Sequence, residues 1–119
     1  KHYIWNLWNE DWITRKDSNY TIGCIHTTQG YDMNYVGVIF GKEIDYDPVS
    51  NSIVIDLNEY RDKKVKAGMV EAELKKLIIN TYTTILARGI KGCYVYACNK
   101  NLQNYLRQFI AAANDYTLK

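Results

Sequence analysis

Between Val70 and Arg88, apolar residues recur at Val70, Leu74, Leu77, Ile78, Thr81, Tyr82 and Ile85, the spacing of one broad helical stripe. Glu71 and Glu73 in the first turn and Arg88 in the last suit the helix macrodipole, and Gly89 supplies a stop. On either side stands a β-type run: Tyr35 to Gly41, YVGVIFG, before it and Cys93 to Cys98, CYVYAC, after it. A helix set between two such runs restricts the fold more than any other feature, because it is the unit from which parallel sheets are built. It predicts an α/β architecture with a mostly parallel central sheet flanked by helices.

The remaining elements are placed around that unit. Tyr20 to His26, YTIGCIH, reads as a strand buried on both faces, as does Tyr35 to Gly41. Ile44 to Asp56 reads as a β-hairpin insertion, with DPVSN as its turn. Glu59 to Gly68, EYRDKKVKAG, is a charged surface link. A last helix is expected from Leu102 to Ala113, where Leu102, Tyr105, Leu106, Phe109, Ile110 and Ala113 keep the period. Trp5, Trp8 and Trp12 share one face of a short amphipathic helix, which either covers a sheet edge or faces a partner lobe.

At 119 residues the chain fits one domain, 1–119, with a Trp-rich segment over 1–19. It begins with Lys, so it is expected to be a fragment of a longer protein. The net charge of +2 is too small to indicate nucleic acid by itself. No apolar run approaches the roughly 20 residues of a membrane span, which predicts a cytoplasmic chain with no membrane partner. Cys24, Cys93 and Cys98 read as reduced thiols; their spacing offers no metal site.

Three stretches carry candidate chemistry. Gly37 to Glu43, GVIFGKE, imitates a phosphate-binding loop but has three residues between its glycines and Glu43 where Ser or Thr is needed, so it is rejected. Cys24 and His26 share a strand face and suggest a thiol nucleophile with its base, without an orienting third group. The loop from Cys24 to Asp32, CIHTTQGYD, offers Thr27, Thr28 and Gln29 as polar groups, Gly30 for close backbone approach, and Asp32 as an acceptor for a ribose hydroxyl.

The run Cys24 to Gly41 resembles motif V of superfamily 1 helicases: Ile25, His26, Thr28, Gln29, Gly30, Tyr31, Asp32 and the strand ending at Gly41 match in order and spacing. Leu86-Ala87-Arg88-Gly89, with Tyr82 upstream and the strand from Cys93 behind, resembles motif VI. WNL at Trp5 to Leu7, IHTTQGYD, YVGVIFG and ARGIKG are similar, more closely, to an uncharacterised and mostly bacterial family of Schlafen-type DNA/RNA helicase-domain proteins.

The resemblance implies a second RecA-like lobe of P-loop NTPase ancestry, acting on DNA or RNA with a first RecA-like lobe of the same polypeptide. ATP and Mg2+ would lie between the lobes in the parent, and the fragment alone would bind neither stably. Arg88 would be the catalytic arginine finger, with Gln29, Gly30 and Asp32 at the nucleotide. His26, Thr27 and Thr28 would couple that site to the nucleic acid. Cys24 and Ala87 depart from the Thr usual at their positions, which leaves a degenerate RecA-like interaction module without hydrolytic activity as the alternative.

Overall fold

A computed structural model describes residues 2–8 and 10–112. The chain divides into two units, Lys1–Met33 and Asn34–Lys119.

In the first unit, strand β1 (Ile4–Trp5) pairs in parallel with β2 (Thr21–Ile22), Ile4 opposite Thr21 and Trp5 opposite Ile22. Two 3-10 turns, Trp12–Thr14 and Ser18–Tyr20, lie between them. The helix expected to carry Trp5, Trp8 and Trp12 on one face does not form. Asn6 and Asp11 take left-handed backbone at φ 46° and 52°, which interrupts any helical run. Trp12 instead donates its indole N–H to the Thr21 hydroxyl at 2.6 Å, and Trp8 donates to Asp17 at 2.9 Å beneath the Arg15 guanidinium.

The strand expected over Tyr20 to His26 contracts to two residues. Thr27 and Thr28 donate their hydroxyls to the Cys24 carbonyl at 2.9 and 3.1 Å, and the Thr28 amide bonds the same oxygen at 3.1 Å. Such local bonds offer the backbone an alternative to a ladder, and here the alternative wins.

In the second unit the order is β3 (Met33–Phe40), β4 (Ile44–Asp47), β5 (Ser52–Ile55), α1 (Lys63–Lys66), α2 (Glu71–Leu86), β6 (Gly89–Ala97) and α3 (Lys100–Leu106), β3 starting on the first unit's last residue. β3 and β6 are neighbours. Gly92 lies against Tyr35 near their starts, and the Cys98 N–H donates to the Phe40 carbonyl at 3.0 Å past their ends, so the two strands run the same way. This is the strand–helix–strand unit read from the sequence. β4 and β5 form the expected hairpin, antiparallel from Ile44 opposite Ile55 to Asp47 opposite Ser52. Its turn is held by Asp47, which accepts from the Val49 N–H at 2.9 Å and the Ser50 hydroxyl at 2.7 Å, and by Asn51 at φ 52°. The Ser50 bond first, and Val49 second, hold the Asp47 carboxyl below its usual range.

The expected single, mostly parallel central sheet is corrected by three two-stranded sheets among the described residues, one of them antiparallel. The reason is visible along β3. Val36, Val38 and Phe40 are buried, whereas Tyr35 and Ile39 are exposed, so the strand is buried on one face and not on two. The hairpin, in turn, pairs β4 with β5 and joins neither β3 nor β6.

Leu74 and Ile78 of α2 are the most deeply buried side chains, at 2% exposure each. Phe40 stacks on Tyr82 at 4.6 Å and Tyr46 on Tyr105 at 4.1 Å, tying β3 to α2 and the hairpin to α3. The charged link contains one helical turn, α1. α3 stops at Leu106, earlier than its stripe predicts; Phe109 is exposed beyond it, and Ala113 lies outside the described residues.

Candidate functional site

The loop from Cys24 to Asp32 is built from the inside by its threonines. Thr27 is buried at 4% exposure with its hydroxyl turned back to Cys24, and Thr28 is half-buried and bound to the same carbonyl. Gly23 leaves room for this turn: a Cβ there would stand 2.8 Å from the Thr27 hydroxyl and 3.1 Å from the Trp12 ring. His26, Gln29, Gly30 and Asp32 are consequently displayed on the outside. Gly30 takes φ +87°, in the region that disfavours side chains, and nothing lies within 4 Å of where its Cβ would stand. A ligand can therefore approach this backbone closely, with the Asp32 carboxylate two residues on.

Arg88 belongs to the second unit. α2 ends at Leu86 with Ala87 as its C-cap, and the Arg88 N–H bonds the Ile85 carbonyl at 3.2 Å. The expectation of Arg88 in the last turn is thus corrected: it stands in the two-residue link between α2 and β6. Gly89 does not act as a left-handed stop, since it opens β6 directly and positive φ among the described glycines occurs at Gly30 and Gly68. Arg88 is half-buried. One turn thus gathers His26, Thr27, Thr28, Gln29, Gly30 and Asp32 in the first unit, and Arg88 is carried by the second.

Gly41-Lys42-Glu43 behaves as its rejection as a phosphate loop requires. The Gly41 N–H donates to the Tyr82 hydroxyl at 3.0 Å, Tyr82 donates to a Glu43 carboxylate oxygen, and strand β4 follows where a phosphate loop needs a helix. Burial first, and the Glu43 bond second, push the Tyr82 phenol far above its ordinary value. The Cys93 thiol is also raised, by burial.

The sequence reading missed an open crevice of about 850 Å³ outside the carboxyl ends of β3 and β6. Lys42 and Asn99, each just past its strand, meet Asp56, Asn58, Glu59 and Lys66 there. Asn99 is fixed by donating to the Lys42 and Ile44 carbonyls at 3.0 and 2.8 Å, and Lys66 by donating to the Leu57 carbonyl at 2.7 Å. The signal was present: ligand crevices of parallel sheets form at this end of the strands. Among the described residues no group of three or more His, Cys, Asp or Glu is placed to hold a metal ion, and no helix is long and apolar enough to cross a membrane.

The family model described as Schlafen group 3, DNA/RNA helicase domain, matches residues 1–99. An uncharacterised protein of Saccharomyces cerevisiae (strain ATCC 204508 / S288c), YPL245W, is 36% identical over 100 residues, covering 80% of this chain. The chain spans 22% of that relative's length. No solved structure matches the chain.

Proposed function

Because this chain belongs to the Schlafen group 3, DNA/RNA helicase domain family, we propose that it is the second RecA-like motor lobe of an ATP-dependent, nucleic-acid-acting helicase or translocase. The observation that carries the reading is that the Gly30 loop and Arg88 both fall within the matched residues 1–99. The open left-handed backbone at Gly30 supports it, because a phosphate or ribose edge fits where no Cβ stands.

In this reading ATP with Mg2+ is shared with a first lobe of the same polypeptide, and it supplies the phosphoryl group. Gly30 offers its backbone, Gln29 its amide and Asp32 a carboxylate to the ribose edge. Arg88 places a fixed positive charge against the phosphoryl oxygens and stabilises the charge that develops there. Thr27 and Thr28 hold the turn rigid, so that a shift of His26 on contact with the nucleic-acid backbone is transmitted to Gly30 and Asp32.

The test is nucleic-acid-stimulated ATP hydrolysis by the full-length parent carrying Arg88→Ala. A fall in turnover of about a thousandfold or more is expected of a lost arginine finger. Unchanged turnover removes Arg88 from the site. The Cys24 and Ala87 departures favour a second reading, a RecA-like interaction module that hydrolyses nothing. A parent with no strand-borne G-x-x-x-x-G-K-[ST] upstream would select it.

A further inference from the structure

α2 is held against its neighbours in two different ways. Leu74 and Ile78 are buried apolar contacts. Tyr82 makes directional ones: its ring stacks on Phe40 at 4.6 Å, and its hydroxyl accepts the Gly41 N–H at 3.0 Å and donates to a Glu43 carboxylate oxygen. Phe40, Gly41 and Glu43 span the end of β3 and the turn into β4, so one side chain of α2 meets three neighbouring residues there. Glu43 is folded back over Gly41. A Cβ at position 41 would stand 2.8 Å from the Glu43 carboxyl carbon, so the arrangement needs glycine. Other polar side chains of α2 bond within the helix: Thr83 and Thr84 donate to the Ile79 and Asn80 carbonyls, each at 2.9 Å, and Lys75 pairs with Glu71.

Apolar burial stabilises the helix but is non-directional, and it does not fix how far α2 lies along β3. A phenylalanine at position 82 would keep the stack on Phe40 and avoid desolvating a hydroxyl. The half-buried phenol instead adds two bonds with a defined geometry, which favour one register of the packed elements over its neighbours. That register is passed on to Arg88. The Ala87 N–H bonds the Thr83 carbonyl at 3.1 Å and the Arg88 N–H bonds the Ile85 carbonyl at 3.2 Å, so the hydrogen-bonded backbone of α2 runs on to Arg88. At ~1.5 Å per residue, Tyr82 and Arg88 stand about 9 Å apart along one stiff stretch, and a slide of α2 at the first is carried to the second. Position matters at such a group, since a misplacement of ~1 Å can cost about a hundredfold in rate.

We propose that Tyr82 is a positioning residue for Arg88: by bonding Gly41 and Glu43 it fixes the register of α2 on β3 and so aims the Arg88 side chain at the transferred phosphoryl group. This role rests on the reading of Arg88 as an arginine finger and deepens it. Tyr82 acts only through Arg88.

The test is a double-mutant cycle in the full-length parent, read as nucleic-acid-stimulated ATP hydrolysis at a temperature where circular dichroism shows every variant folded. Tyr82→Phe is expected to lower kcat about tenfold while KM for ATP stays within about twofold, because nucleotide still binds and only the aim of Arg88 is lost. In an Arg88→Ala background the same substitution is expected to cost nothing further, since nothing is left to position. Glu43→Gln keeps an acceptor for the phenol and is expected to turn over as the parent does. A Tyr82→Phe variant with the parent's kcat overturns the positioning role and leaves Arg88 in place. So do a Glu43→Gln variant as slow as Tyr82→Phe, and losses that multiply in the double variant, as a general loosening of the fold would make them. Arg88→Ala with the parent's turnover, or a parent that hydrolyses no ATP, overturns the positioning role together with the nucleotide reading. The Arg88→Ala single variant thus tells the two failures apart.

Discussion

Among the described residues, the buried side chains of the first unit are Thr21 and Thr27, both polar, whereas the buried apolar side chains, from Val36 to Leu102, all belong to the second. The second unit is held by removal of apolar surface from water, with α2 as its centre. The first is held by short-range bonds from hydroxyl and indole groups: Trp12 to Thr21, Trp8 to Asp17, and Thr27 and Thr28 to Cys24. Such bonds are worth about 0.5–1.5 kcal/mol each, against about 1.5–3 kcal/mol for each large apolar side chain fully buried. The proposed nucleotide loop therefore stands on the weaker unit, and Arg88 on the stronger. Segments that must respond to a ligand are drawn from the low-stability end of a protein. Native-state hydrogen exchange should accordingly be slow in α2 and β6 and fast in the amides around Thr28 and Tyr31; equal protection would break the contrast.

The largest effect is expected in the core of the second unit. Leu74→Ala removes one of its two most buried side chains and should cost about 2–5 kcal/mol in denaturant unfolding. If the contrast holds, the loss appears in the protection of α2 and β6. A loss confined to the first unit would reverse the assignment of which unit carries the stability.

A smaller effect, about 1–3 kcal/mol, is expected of Tyr82→Phe, which leaves the Gly41 N–H and the Glu43 carboxylate without the phenol. Because the phenol is raised above its ordinary value of 10.0, the unfolded chain loses that proton first. Stability is therefore full below about pH 10 and falls as pH rises beyond it, toward the folded-state value. Unfolding of the parent and of Tyr82→Phe compared between pH 8 and pH 11 should show the variant with the shallower decline; parallel slopes would mean that Tyr82 is not protected.

The same contrast explains what could be read in the sequence. α2, the hairpin and the strand–helix–strand order were legible because periodicity at 2.0 and 3.6 reports apolar burial, and the second unit is built from burial. The tryptophans misled for the complementary reason. Their helical spacing was incidental, and single hydrogen bonds to Asp17 and Thr21, with left-handed Asn6 and Asp11 between, decided their places. No periodicity reports such bonds. β3 was read as doubly buried because YVGVIF is apolar throughout, and composition cannot say that Tyr35 and Ile39 face water. The loop's residue types were legible, but which of them face outward was set by two threonines turning back on Cys24.

Within the first unit, Gly30→Ala is expected to cost about 1–2 kcal/mol locally, from backbone strain alone, since φ is +87° and the space around it is open. Faster exchange at Tyr31, whose N–H bonds the Thr28 carbonyl, with an unchanged unfolding midpoint for the second unit, would sharpen the distinction between the units. A shift of the global midpoint would blur it.

The smallest effect separates redundancy from weakness. Thr27→Val removes one hydroxyl bond to the Cys24 carbonyl, while the Thr28 hydroxyl and amide continue to bond the same oxygen. The single variant should therefore cost less than about 1 kcal/mol, with the buried valine methyl offsetting part of it. Thr28→Val should be similar, because Thr27 remains. The double variant should cost more than the sum, since the carbonyl then keeps only the Thr28 amide, and neighbours that share one acceptor are not additive. Exchange at the Thr28 amide measures this directly: near-normal in each single variant and fast in the double. Additive losses would mean that the two hydroxyls act independently, and the turn that displays His26, Gln29, Gly30 and Asp32 would then be as fragile as its weakest bond.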